Sequence, residues 1–149
     1  MADLKKATEN LKARGFSVRL FETKEEAAEY LNGAIDGKTV GFGGSITLKD
    51  MGLYEKLASH NSVYWHWQGT PVSTGEAAAA QVYLSSVNGL SEDGDIINID
   101  GNGNRVASML YGHGKLYLVA GRNKLAATYD EALWRARNIA APKNAQRLE

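Results

Sequence analysis

Thr39-Val40-Gly41-Phe42-Gly43-Gly44-Ser45-Ile46-Thr47-Leu48 is the stretch whose reading decides the fold. Four residues that suit a buried strand run into two glycines and a hydroxyl residue, and apolar positions then recur at Leu48, Met51, Leu53, Tyr54 and Leu57 with helical spacing. A strand that turns on glycines into a helix is the repeating unit of a parallel sheet. The reading predicts a strand over 39–42 and one helix from Leu48 to Leu57 that Thr47 is placed to start.

Downstream the unit recurs. Ser62 to Trp67 reads as a strand, Gly69-Thr70-Pro71 breaks the chain, and Ser73 with Glu76 forms a capping box before Ala77 to Ala80. Gln81 to Ser86 is the next strand. Leu90 and Asp95 to Ile99 flank Ser91-Glu92-Asp93-Gly94, an Asp-Gly hairpin signal. Asp100 to Asn104 is a loop, Arg105 to Tyr111 a helix, Lys115 to Ala120 a buried strand, Gly121 to Lys124 a polar loop, and Tyr129 to Ala140 a final helix before Pro142. Upstream, Leu4, Ala7 and Leu11 stripe a helix that Gly15 closes, and Ser17 to Glu22 alternates like a strand. Thr23 and Glu26 box the start of a helix through Tyr30 and Leu31. The expected fold class is α/β: an open, mostly parallel sheet with helices on both faces and an inserted β-hairpin, in a single domain over residues 1–149.

Composition narrows the function classes. The 149 residues contain no cysteine, which excludes disulfides, thiolate metal sites, iron–sulfur ligation by this chain and a cysteine nucleophile. Lys plus Arg number 17 against 17 Asp plus Glu, so no overall basic field draws the protein to nucleic acid or to a membrane, and any anion site must be local. With no spanning-length apolar run and no signal-like start, the expectation is a cytoplasmic protein. His60, His66 and His113 lack metal-ligand spacing, and nothing in the sequence names a cofactor. Trp65 and Trp67 share one strand face, which suits a core, or a homodimer contact if either is exposed.

Three polar turns carry the chemistry to be expected at the carboxyl ends of parallel strands. The first offers the backbone of Gly43 and Gly44 and the hydroxyls of Ser45 and Thr47, without the lysine of a nucleotide-binding P-loop. The second, Asp100-Gly101-Asn102-Gly103-Asn104-Arg105, sets an arginine at a helix start, where a cation is unfavourable unless an anion joins it. Arg122-Asn123-Lys124 adds two cations and an amide after an apolar strand. Arg135 and Asn138 share a face of the last helix.

Glu92-Asp93-Gly94 through Asn98-Ile99-Asp100-Gly101-Asn102-Gly103-Asn104-Arg105-Val106-Ala107, with the Gly43 turn, Gly121-Arg122-Asn123-Lys124 and Ala141-Pro142-Lys143-Asn144-Ala145, resemble the lactate-utilization (LUD) domain family. The likeness runs from the first helix to the last residue. It implies the open sheet of the ribose-phosphate isomerase and coenzyme A transferase superfamily. It also implies a role in lactate or related organic-acid metabolism beside iron–sulfur partner proteins. Close relatives often carry a cysteine-rich tail after the segment that here ends at Arg147-Leu148-Glu149. In similar sugar-phosphate isomerases an aspartate base precedes the hairpin; Asn88 stands at that position, and an amide takes no proton at neutral pH. Glu92 is a loose match to the transferases' nucleophilic glutamate.

Two readings follow. The first is a module that binds a small anionic metabolite through Gly43, Gly44, Ser45, Thr47, Asn88, Asn102, Asn104, Arg105, Arg122, Asn123 and Lys124. The alternative is an isomerase-like or transferase-like enzyme with Glu92 or Asp100 as the acting carboxylate.

Overall fold

The computed structural model describes residues 2–68 and 74–140. In chain order the first half runs α1 (Leu4–Ala13), α2 (Lys24–Ala34), β1 (Thr39–Phe42), α3 (Ile46–Asp50), α4 (Leu53–Ala58), β2 (Ser62–Tyr64) and α5 (Thr74–Ala78). The second half runs β3 (Val82–Ser85), β4 (Gly89–Ser91), β5 (Ile96–Ile97), α6 (Asn104–Leu110), β6 (Lys115–Leu118), β7 (Leu125–Ala126) and α7 (Tyr129–Arg135). A 3-10 turn, Arg122–Lys124, precedes β7, and a π-turn, Ala136–Ala140, follows α7. These elements make two compact units, each assembled from separated stretches of chain. One holds the described residues of Leu20–Ser86 and Asn102–Val119; the other holds those of Met1–Arg19, Val87–Gly101 and Ala120–Glu149.

The first unit is the parallel sheet expected from the sequence, with strand order β2-β1-β3-β6. Alternation along a strand sends successive side chains to opposite faces. Val40 and Phe42 of β1, in register with Val82 and Leu84 of β3, therefore share one face. There they are buried with Ala28, Leu31 and Ile35, with Leu48, Leu53 and Leu57, and with Trp65. The other face carries Gly41, Tyr83 and Ser85. A Cβ on Gly41 would collide with the Ala77 carbonyl, so the backbone of α5 lies directly on β1. Tyr83 stacks on His113, 4.8 Å between ring centroids, on the side of β3 that α6 covers. Helices thus clothe both faces.

Several local expectations change. Ser17 to Glu22 joins neither sheet; its alternation is that of an extended stretch without a neighbouring strand. The helix expected from Leu48 to Leu57 is two helices, because Gly52 takes φ +66°, a left-handed conformation that ends α3 and starts α4. Ser45, not Thr47, caps α3: its Oγ accepts from the Leu48 amide at 3.2 Å. β2 ends at Tyr64, so Trp65 lies beyond the strand and is buried in the core, stacked 5.5 Å from Trp67. The stretch expected to be a buried strand over 115–120 is the half-exposed edge strand β6, and it stops at Leu118. The last helix is regular only to Arg135. The Gly69-Thr70-Pro71 break, the Ser73 half of its capping box and everything after Ala140 lie outside the described residues.

The second unit holds the hairpin. β4 runs antiparallel to β5, Gly89 opposite Ile97, and parallel to β7, Leu90 opposite Leu125. A Cβ on Gly89 would meet the Ala132 carbonyl at 2.8 Å, so α7 packs by its backbone onto β4. A small core of Ile97, Ala126, Ala132 and Ala136 results. Thr128 caps α7 through the Glu131 amide, and Glu131 accepts from the Ala127 amide, a reciprocal box. Thr23 and Glu26 do the same for α2.

Candidate functional site

In the parallel-sheet unit, the Gly43 turn and Arg105 come together beyond the carboxyl ends of β1 and β3. The Gly43 amide donates to the Leu84 carbonyl at 2.9 Å and carries the β1–β3 pairing one residue further. A Cβ on Gly43 would stand 2.8 Å from Arg105 Cγ, 2.8 Å from the Tyr83 hydroxyl and 2.9 Å from Ser85 Oγ. Only a hydrogen fits. Arg105 is the second residue of α6, after Asn104; Gly103, at φ +77°, lets the loop from Asp100 turn into that helix without a side-chain cap. Its guanidinium folds back onto β3: Nε donates to Ser85 Oγ at 3.1 Å and Nη2 to the Ser86 carbonyl at 3.2 Å. Ser85 is fully buried, and its own hydroxyl donates a hydrogen bond to the Ser86 carbonyl at 3.3 Å. These contacts help to fix the orientation of the half-buried guanidinium.

The remaining first-turn residues are placed as follows. Gly44 has no left-handed backbone; what excludes a side chain there is Trp67, whose Cζ2 would lie 2.9 Å from its Cβ. Ser45 is buried and spends its hydroxyl on the α3 cap, while Thr47 is half-buried in the first turn of that helix. Asn102 is exposed, and Asn104 opens α6 half-buried.

In the hairpin unit, Asn88 Oδ1 accepts from the Ile99 amide at 2.8 Å and the Asn88 backbone N–H donates to the Ile97 carbonyl at 3.0 Å, so this residue splices the two sides of the hairpin. Glu92, its side chain 13% exposed, accepts from the Asp3 amide through Oε1 at 2.5 Å and from Lys6 Nζ through Oε2 at 3.4 Å. Asn10 Nδ2 donates to the Glu92 carbonyl at 2.7 Å and Arg14 pairs with Asp95 at 3.6 Å, so α1 lies along the hairpin turn. Asp100 is half-buried at the end of this hairpin region. Arg122 and Asn123 are exposed and Lys124 is half-buried on their 3-10 turn, whose Asn123 carbonyl accepts from Arg135 Nη2 at 2.5 Å. Among the described residues no three of His, Asp and Glu gather as a metal site, and no helix is long and apolar enough to cross a membrane.

The sequence model of the LUD domain matches residues 4–149. The chain belongs to the LUD domain family. Membership ties this LUD domain to lactate utilization at the level of its role. No curated protein and no solved structure was found to match it. Reading the LUD sequence by its turns missed Tyr83, Ser85 and Ser86, which form the floor beneath Arg105. Their signal was present: Tyr83, Ser85 and Ser86 interrupt the apolar run from Val82 to Val87, spaced so that Tyr83 and Ser85 share the face opposite the core.

Proposed function

We propose that this LUD domain binds a small anionic metabolite of lactate or related organic-acid utilization, with Arg105 as the group that recognises the anion. The observation that carries the reading is the clasp of Arg105: a guanidinium held by Ser85 Oγ and the Ser86 carbonyl against a turn that admits only glycine at position 43. A cation whose side chain is fixed in advance loses little entropy when it meets a carboxylate or phosphate, and its planar fork matches both. Gly43 brings its backbone against the Arg105 stem, and Gly44, Thr47, Asn102 and Asn104 belong to the same two turns. Family membership supports the organic-acid setting. Binding is favoured over catalysis by Glu92 because that carboxylate already accepts from the Asp3 amide and Lys6, and a nucleophile or base would have to leave both.

Calorimetric titration with lactate, pyruvate, inorganic phosphate and a sugar phosphate tests this. One of these anions should bind wild type, and Arg105→Ala should weaken it ten- to a hundredfold, the loss of a charge-assisted hydrogen bond worth roughly 1.5 to 3 kcal/mol. Arg105→Lys should recover part of the affinity. Equal binding by wild type and Arg105→Ala, or no binding of any of the four, would sink the proposal.

A further inference from the structure

We propose that the open edge of β6 pairs antiparallel with the same edge of a second copy of this chain, joining two four-stranded sheets into one continuous sheet. The Lys115 amide donates to the Gln81 carbonyl at 3.2 Å and the Val119 amide to the Ser85 carbonyl at 2.9 Å. The N–H and C=O of one strand residue point the same way, and successive residues point opposite ways. Lys115, Tyr117 and Val119 therefore serve β3. Leu116 and Leu118 turn their backbone groups away from it, and among the described residues β3 is the only strand that β6 pairs with. The opposite edge strand, β2, has its Ser62 amide on the Lys38 carbonyl, so it turns outward a single residue, Val63.

This edge is complementary to itself in one register. With Leu116 opposite Leu118 of the second copy, a two-fold axis passes beside Tyr117 and both outward-facing residues form hydrogen-bonded pairs, four backbone bonds in all. Centring on Leu116 would leave one such pair, and any odd shift would oppose outward-facing to inward-facing residues. The same register sets Lys115 opposite Val119 rather than opposite its own like charge, although an edge lysine otherwise discourages pairing. A formal net charge of zero removes long-range repulsion between copies. Beside the strand two large apolar side chains stand in solvent, Leu110 and Tyr111 at 80% and 90% exposure, in an open groove of mixed polarity that Ser108, His113 and Leu116 also line. A four-residue ribbon is small against the roughly 800 Å² per partner of a standard interface, so the association is weak and concentration-dependent.

Sedimentation velocity on the full chain over a concentration series, with Leu118→Pro beside wild type, tests the pairing. Proline removes an outward N–H, which edge strands tolerate, and leaves the β3 ladder in place. Wild type should dimerise, and the variant should do so about thirtyfold more weakly, two of four hydrogen bonds being lost. Because the chain has no cysteine, Tyr117→Cys and Lys115→Cys each carry a single thiol. Residue 117 would face its symmetry mate at about 4.5 Å between Cα atoms, within disulfide reach, whereas residue 115 would face 119. Oxidation should give a covalent dimer from Tyr117→Cys and none from Lys115→Cys. A wild type that sediments as a monomer throughout, a dimer indifferent to Leu118→Pro, or cross-linking at 115 in place of 117 would overturn the proposal.

Discussion

Replacing Gly43 by alanine adds one methyl group where three atoms already stand. The backbone tolerates it, since Gly43 is not left-handed. The surroundings do not: Tyr83 and Ser85 are buried to within 1% and can retreat little, and only Arg105 has a flexible stem. Overpacking of this kind costs about 1 to 3 kcal/mol. At roughly 2 to 4 °C per kcal/mol for a chain of this length, the melting temperature should fall by about 2 to 12 °C. The easiest relief is to push the Arg105 Cγ aside, which breaks the bond from Nε to Ser85 Oγ and misaims the guanidinium. Anion binding should therefore weaken along with stability. Combining Gly43→Ala with Arg105→Ala removes one of the three clashing atoms, so the double variant should be more stable than the sum of the two losses by 0.5 kcal/mol or more. Thermal unfolding followed by circular dichroism, with the four single and double states measured together, gives the coupling directly. A Gly43→Ala protein that melts within a degree of wild type, or strict additivity with Arg105→Ala, would mean the turn has room, and the fit of Gly43 to Arg105 would not be what orients the cation.

Arg105→Ala should itself lower stability by about 1 to 2 kcal/mol in denaturant titration, because it takes the guanidinium donor from buried Ser85 Oγ and leaves the Ser86 carbonyl only the Ser85 hydroxyl. Asn88→Ala should cost about 1 to 2 kcal/mol by orphaning the Ile99 amide, whereas Asn88→Asp keeps the acceptor and should cost less; equal losses would show that Oδ1 is not what holds the hairpin. Glu92→Gln retains an acceptor for the Asp3 amide but loses the charge that Lys6 meets at a half-exposed position. It should cost no more than about 1 kcal/mol and speed hydrogen exchange in α1 selectively, and unchanged exchange there would refute the clasp. Thr128→Ala should destabilise α7 by about 1 kcal/mol, read as faster exchange of its first-turn amides.

Local features were legible in the amino-acid order because short-range chemistry decides them. The run Thr39 to Ser45 is a strand ending in a glycine turn, Ser91 to Asp95 closes a hairpin, and Thr23 with Glu26 opens a helix, each set by residues at most a few positions apart. The α/β class followed from their alternation. Which neighbour a strand meets did not follow, because periodicity reports the face a residue takes and says nothing about what lies beside the strand. Ser17 to Glu22 has the alternation of a strand and pairs with no strand of either sheet, while Lys115 to Leu118 looked buried and lies at an edge. Arg105 could be located at a helix start from the sequence, but its clasp depends on β3 arriving from 20 residues away with Ser85 turned toward α6. Gly44 is the sharpest case. From the sequence its glycine offers backbone to a ligand, yet what excludes a side chain there is the Trp67 ring packed against it, a contact that exists only once the chain has folded.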